Sequence, residues 1–458
     1  MYGKNAWEKY DGNFKEIFDF NDAYRTFISN NKTERRCVED ATAMAKAAGF
    51  KDLEELIKNK TPLKTGDKVF ATNKDKNIYL FVMGKKPLDE GMRILGAHID
   101  SPRLDLKQNP LYEANDFALL DTHYYGGVKK YQWVTLPLAI YGVVIKKDGT
   151  RIDVTIGDDD QDPVVGIGDL LIHLAGEQLQ KQASVVIEGE NLDVTVGSIP
   201  VKGEEKDAVK KNILALLNEK YGMEEEDFLS AELEVVPAGK ARDYGLDRSM
   251  VMGYGHDDRV CAYTSLKAIL DSEVNEYTAC CTLVDKEEVG SIGATGAQSK
   301  FFENIVAEMC ALQGLDTNLG TRRAFTKSKM LSSDVSAGFD PLYASVNEPK
   351  NAAYLGKGVV FNKYTGARGK SGCNDASAEY VAELREAMDA NDINFQTAEL
   401  GKVDQGGGGT IAYILGNYNM EVIDCGVAVL NMHAPWEIVS KVDVYEAYKA
   451  YKVFLKNL

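Results

Sequence analysis

The chain has 458 residues, with 53 Lys and Arg against 70 Asp and Glu and a formal net charge of −17 at pH 7. Charge of that sign repels phosphate backbones and anionic lipid, which excludes nucleic acid and membrane surfaces as general partners. A hydrophobic fraction of 44% supplies folded cores, and at roughly 150 residues per domain the length predicts two or three of them.

The start of the chain, Met1-Tyr-Gly-Lys-Asn-Ala-Trp7, has no apolar h-region and no cleavage site, so a cytoplasmic protein is expected. Helices follow. Thr33 is placed to cap one, Cys37, Ala41, Met44 and Ala48 recur at helical spacing, and Gly49 stops it. Short β-rich runs begin at Val69, Ile78 and Arg93, the last ending at His98. From about residue 106 to 244 strand-like runs and tight turns dominate, Asp148-Gly149 being a strong hairpin signal. The apolar run from Val134 to Ile145 is broken by Thr135, Pro137 and Gly142 and is far short of the roughly 20 residues of a membrane span. An amphipathic helix around Val209, Ile213, Leu217 and Tyr221 closes the region. Beyond about 245, apolar strands (from Thr278 and from Val422) alternate with helices, one of them after Asp258. Near-continuous apolar strands between helices predict a sheet covered on both faces. The chain reads as one α/β domain interrupted by a β-rich insertion.

The seven cysteines are scattered with no C-x-x-C pair, which predicts small buried side chains in a reducing compartment and no disulfide framework. The histidines number five: His98, His123, His173, His256 and His433.

Five segments place metal-ligand side chains at or just after predicted strand ends. In His98-Ile-Asp100 the imidazole can bind a metal while the carboxylate supports it. In His256-Asp257-Asp258-Arg259, Asp258 reads as a helix N-cap and Asp257, just outside the helix, is free to bridge two ions. Asp285-Lys-Glu287-Glu288-Val-Gly follows a fully apolar strand, where adjacent glutamates need a counter-charge; one suits a ligand and the other a general base. Asp334, after Leu331-Ser-Ser, and His433, after Val429-Leu-Asn-Met, complete the set. Each segment alone reads as an ordinary cap, turn or core histidine. Together they make a two-metal hydrolytic site, in which the four charges of two divalent ions are balanced by Asp257, Glu288, Asp334 and one hydroxide, leaving Glu287 to accept a proton.

This ordered set, with Ser101-Pro102 after Asp100 and Arg259 after Asp257-Asp258, resembles the aspartyl aminopeptidase / aminopeptidase I family of dinuclear zinc metallopeptidases. Tyr125-Gly126-Gly127, Leu171-Ile-His173-Leu and Asp404-Gln-Gly-Gly-Gly408-Gly-Thr410 resemble further landmarks of that family. The resemblance implies His433 and Glu288 on one zinc, His98 and Asp334 on the other, and Asp257 between them. It implies Glu287 as catalytic base, Asp100 supporting His98, and Gly408 and Thr410 on a loop near the substrate. His173 is implied as a metal or substrate contact supplied by a neighbouring subunit, and the second role is favoured. For the fold it implies a phosphorylase/hydrolase-like three-layer catalytic domain with a central mixed sheet (1–105 and 245–458) and a β-rich dimerisation domain inserted at 106–244. The assembly it implies is a tetrahedral homododecamer. Two Zn²⁺ per subunit are expected, and Co²⁺ or Mn²⁺ suits the same donors.

Two stretches depart from the family. Val335-Ser-Ala337-Gly follows Asp334 without the usual histidines, and Ala434-Pro435-Trp436-Glu437 replaces a Ser-x-Arg-Glu run. The preferred N-terminal residue, acidic or neutral and apolar, is left open. Release of N-terminal amino acids from peptides is the expected activity. The alternatives are a related dinuclear peptidase for dipeptides or acylated amino acids, and a non-catalytic scaffold keeping the fold. Gly406–Gly409 lacks the Lys-Ser/Thr of a phosphate loop, Asp158–Asp162 lacks the Gly and distal Glu of an EF-hand, and His123 and His256 read as non-ligands, His256 lying close enough to Asp257 to touch the site's surroundings.

Overall fold

A computed structural model describes residues 3–458 of the chain. Two compact units are present. One comprises the residues up to Asp100, Ala241–Met432 and Glu437–Leu458; the other comprises Ser101–Lys240 and His433–Trp436.

The first unit is built on a nine-stranded mixed sheet. In spatial order its strands are Lys51–Asp52, Lys68–Asn73, Asn77–Val82, Thr278–Val284, Met92–His98, Lys329–Ser332, Glu421–Gly426, Val359–Asn362 and Phe395–Thr397. The four central strands, from Thr278–Val284 to Glu421–Gly426, run parallel. Their side chains alternate between two cores. Leu80, Val82, Leu95, Ala97, Cys281 and Leu283 face the helices Lys15–Asn30, Glu34–Ala47, His256–Leu270, Ala378–Ala390 and Lys441–Asn457. Tyr79, Phe81, Ile94, Cys280 and Met330 face Leu53–Lys58, Phe301–Leu312, Leu319–Thr326 and Ala412–Gly416. Strands buried on both faces are predominantly hydrophobic, which is why Thr278–Val284, buried at every position, is polar only at Thr278 and Thr282. Each buried Leu, Ile, Val, Phe or Met in these strands contributes ~1.5–3 kcal/mol by leaving water.

Local signals explain where the helices begin and end. The Thr33 hydroxyl accepts the Arg36 N–H at 3.4 Å, and Gly49 takes a left-handed φ of 86° just past the last turn. A five-stranded sheet, ordered Arg242–Tyr244, Met250–Gly253, Glu437–Ser440, Ala428–Leu430 and Ser336–Ala337, belongs to the same unit and pairs Gly253 with Glu437.

The second unit is a six-stranded antiparallel sheet ordered Arg151–Ile156, Leu138–Ile145, Ala231–Pro237, Arg103–Ala114, Phe117–Tyr125 and Val194–Gly197. Asp148-Gly149 turns its first hairpin, Gly149 at φ 85°. The helix Ala208–Tyr221 starts with the Val209 and Lys210 N–H groups donated to Glu113 at 2.8 and 2.9 Å and stops at Gly222, φ 65°.

Six cysteines are buried as expected, but Cys373 is half-exposed, on the loop after Ala367–Lys370. Among the described residues no helix is long and apolar enough to cross a membrane.

Candidate metal centre

The parallel strands deliver their chemistry at their carboxyl ends, where open α/β sheets bind ligands. His98 ends its strand opposite Val284, and Ser332, two residues before Asp334, pairs with Gly96 on one side and Asp424 on the other. Three neighbouring strands thus release His98, the Asp285–Glu288 turn and Asp334 side by side.

His98 is fully buried. Its Nδ1 lies 3.0 Å from the Asp100 carbonyl oxygen and 3.3 Å from Asp100 Oδ1. Its Nε2 lies 3.1 Å from Asp257 Oδ1 and 3.9 Å from both Glu287 Oε2 and Asp334 Oδ1. A neutral imidazole that donates from Nδ1 to Asp100 turns its Nε2 lone pair toward these three carboxylates. Burial disfavours the imidazolium, but hydrogen bonds to Asp100 and Asp257 outweigh it and hold the His98 pKa well above its ordinary value.

After Thr278–Val284, Asp285 is buried and accepts the Thr295 hydroxyl at 2.6 Å. Burial pushes its carboxyl up to about 6, with Glu34 and Asp100 adding to the shift. Lys286 then takes a left-handed φ of 72° and Glu287–Val289 form a single 3-10 turn. The first N–H groups of a helical turn lack internal partners. Here Asp100 supplies them: its Oδ1 accepts from Glu287 N and its Oδ2 from Glu288 N, both at 3.1 Å. Asp100 thereby ties the His98 segment to both glutamates, which are half-buried rather than sealed in.

Asp257 stands in the first turn of His256–Leu270, where it and Asp258 leave helical geometry. The Asp257 N–H donates to Glu437 Oε2 at 2.9 Å. Asp258 does not act as the N-cap expected of it. It is wholly buried, and its Oδ2 accepts the His98 N–H at 3.3 Å. Burial raises its pKa well above the usual range, with His98 opposing and Asp257 reinforcing the shift. Asp334 is raised likewise, by burial first and then by Asp258, with His98 opposing and Glu287 and Asp257 adding further repulsion.

His98, Asp257 and Asp334 bring one ligand atom each within 4.8 Å of one another, and so do His98, Glu287 and Glu288. Four carboxylates crowded around one imidazole, with the Asp334 carboxyl pushed up by burial and by its acidic neighbours, form a donor set that divalent cations would relieve. The residues fit zinc: nitrogen and carboxylate oxygen donors, with the ligand histidine's second nitrogen held by Asp100.

The remaining expected residues are His433, His173, Gly408 and Thr410. His433 belongs to the second unit, at a left-handed φ of 65°, with Nδ1 3.0 Å from the Gly127 carbonyl oxygen. A Cβ on Gly127 would stand 3.2 Å from that nitrogen, so the glycine in Tyr125-Gly126-Gly127 makes room for the ring. His173 sits in the exposed turn Ile172–Leu174 of the same unit. Gly408 donates its N–H to the Thr365 carbonyl at 3.0 Å, and the Thr410 hydroxyl accepts from Ala412 N at 3.3 Å, just before the short helix Ala412–Gly416. Thr410 also lies beside the buried Asp424, whose carboxyl is pushed up to about 6 by burial against the Ser332 and Thr410 hydroxyls.

Sequence reasoning missed Glu437, which it treated only as part of a departure from a family motif, and the burial of Asp258. A Glu in an apolar strand start (Glu437-Ile-Val) was the available signal for the first.

Comparison with known proteins places the chain in a family of metallopeptidases. A family model described as aminopeptidase I zinc metalloprotease (M18) matches residues 27–455. A probable M18 family aminopeptidase 1 of Clostridium acetobutylicum is 63% identical over 456 residues, covering 99% of this chain and 98% of the relative. Among solved structures, an M18 aminopeptidase from Thermotoga maritima superposes with a TM-score of 0.96 at 44% identity, covering 100% of both chains. Aminopeptidase I from Clostridium acetobutylicum superposes with a TM-score of 0.93 at 62% identity, covering 99% of each. Matched from its second helix to its last, with histidine and carboxylates gathered at the strand ends, the chain belongs to the M18 family of aminopeptidase I zinc metalloproteases and is an aminopeptidase.

Proposed function

We propose that the chain removes N-terminal residues from peptides at a dinuclear zinc centre, with His98 and Asp334 holding one ion, Glu288 and His433 the other, and Asp257 shared. The observation that carries this reading is the crowding of Asp257, Asp334, Glu287 and Glu288 around His98. For His433, Nδ1 is engaged by the Gly127 carbonyl, which directs Nε2 to be the ligand atom. When bound, zinc supplies Lewis-acid polarisation of the scissile carbonyl and acidifies the attacking water.

Glu287 takes the proton of that water and returns it to the leaving amine. Asp100 fixes Glu287 and Glu288 through their backbone N–H groups, so base and ligand keep one relative orientation. Half-exposure of both glutamates supports access by a substrate N-terminus. The nine-stranded unit serves as a three-layer, phosphorylase/hydrolase-like catalytic domain, and the segment about 106–244 as an inserted dimerisation domain. In the assembly, His173 reaches a neighbouring copy's substrate; the S. cerevisiae mApe1 chain, alike in fold at 19% identity and a TM-score of 0.75, forms a dodecamer, and a tetrahedral dodecamer is proposed here. Gly408 and Thr410 belong to a loop bordering the substrate.

The test is Glu287→Gln. It keeps zinc content, folding and assembly while kcat falls by about 10²–10⁴, the usual worth of a general base. Turnover near the wild-type rate removes Glu287 from this role. Cleavage confined to N-acylated substrates would favour the acyl-amino acid hydrolase, and a wild type with zinc but no peptidase activity would favour the scaffold.

A further inference from the structure

Asp257, the proposed shared ligand, is held by groups that are not themselves proposed ligands. Although it lies within His256–Leu270, its φ of −81° and ψ of 104° depart from helical geometry. On one side, the Asp257 N–H donates to Glu437 Oε2 at 2.9 Å, and Glu437 is brought there by the strand pairing of Gly253 with Glu437. On the other, His256 is wholly buried and both its ring nitrogens are engaged. The Tyr24 hydroxyl is 2.6 Å from Nδ1, and the Val251 carbonyl oxygen is 3.2 Å from Nε2. A carbonyl can only accept, so Nε2 carries the proton and Nδ1 accepts from Tyr24: one neutral tautomer is selected.

Neither arrangement is cheap. A buried carboxylate at Glu437 and a buried imidazole at His256 each cost free energy that an apolar core would not incur. Glu437 is only 1% exposed, and its contact with Asp257 is a charge-assisted bond to the amide of the one carboxylate proposed to face both ions.

We propose that Glu437, together with the Tyr24–His256 pair, positions Asp257 as the shared metal ligand. These are positioning residues: they act through the backbone of Asp257. The inference rests on the two-metal reading above.

The test loads the metal-free protein with Co²⁺ and follows the visible d–d spectrum and the apparent affinity, beside thermal melting. Loss of a group supporting a ligand typically costs 10–100-fold in metal affinity. Glu437→Ala is expected to weaken Co²⁺ binding within that range and to alter the spectrum. Glu437→Gln, whose amide oxygen still accepts the Asp257 N–H, is expected to restore affinity to within about threefold of wild type. Tyr24→Phe removes a single oxygen and is expected to shift spectrum and affinity in the same direction by less; it decides the matter should Glu437→Ala not fold. A merely structural role would lower the melting temperature and leave the spectrum and affinity of the folded protein unchanged. That result, or a Gln variant no better than Ala, overturns the inference while the two-metal reading stands. Failure of the wild type to bind two Co²⁺ ions overturns both.

Discussion

Replacing Asp100 with Asn tests the link between His98 and the two glutamates. The wild-type carboxylate uses one oxygen for each of two backbone N–H groups, Glu287 and Glu288, at 3.1 Å apiece. An asparagine has the same shape but one acceptor oxygen, so one N–H must face the amide's own NH₂. Leaving a buried donor without its acceptor costs ~1–3 kcal/mol. If that cost falls on the geometry of the turn when it meets the transition state, kcat/KM drops by about 5- to 150-fold, at 1.36 kcal/mol per factor of ten. Asp100 Oδ1 is also 3.3 Å from His98 Nδ1, so lost charge there weakens the imidazole as a ligand and lowers zinc content as well. The assay is kcat/KM on an amino-acid anilide, paired with zinc content by elemental analysis. An Asn variant with wild-type kcat/KM and full zinc would refute the claim that Asp100 holds the turn.

Two further outcomes follow from other positions. A Cβ at Gly426 would stand 2.0 Å from the Asp334 carbonyl oxygen and 3.1 Å from Cys261 Sγ, so Gly426→Ala must displace the backbone that carries Asp334; zinc content is expected to fall at least tenfold, and full occupancy with normal activity would contradict this. Asp443, wholly buried in the first turn of Lys441–Asn457, accepts the Gly356 and Gly358 N–H groups at 2.7 Å each, and burial against those bonds pushes its carboxyl up to about 7. That lies above an unfolded value of about 3.9, so the folded state holds the proton more tightly, and the stabilisation is full below about pH 4 and lost as pH rises toward 7. The melting-temperature advantage of wild type over Asp443→Asn is expected to shrink between pH 4.5 and 8, and a constant difference would show that Asp443 does not titrate there.

The elements most legible in the sequence are those whose physics is local. Thr33 and Gly49 bound a real helix at Glu34–Ala47, and Asp148-Gly149 turns a real hairpin, because caps and turns depend on one or two residues. The strand ending at His98 is equally plain, since two buried faces favour apolar residues and Met92–His98 departs from them only at Arg93 and His98. Asp258 misled for the same reason. An Asp before a helix nearly always caps it, and only the fold reveals that parallel strands set His98 N within its reach. The partner of Glu437 was illegible because the contact with Asp257 spans 180 residues and comes from strand register, which no local pattern encodes.

The strand Met92–His98 has one more consequence. Both of its hydrogen-bonded neighbours, Thr278–Val284 and Lys329–Ser332, come later in the chain. During synthesis it leaves the ribosome with two bare edges and waits for about 180 residues, or about 9–36 s at 5–20 residues per second. Over that interval the nascent polypeptide displays a largely apolar ribbon, interrupted by Arg93, that is open to mispairing.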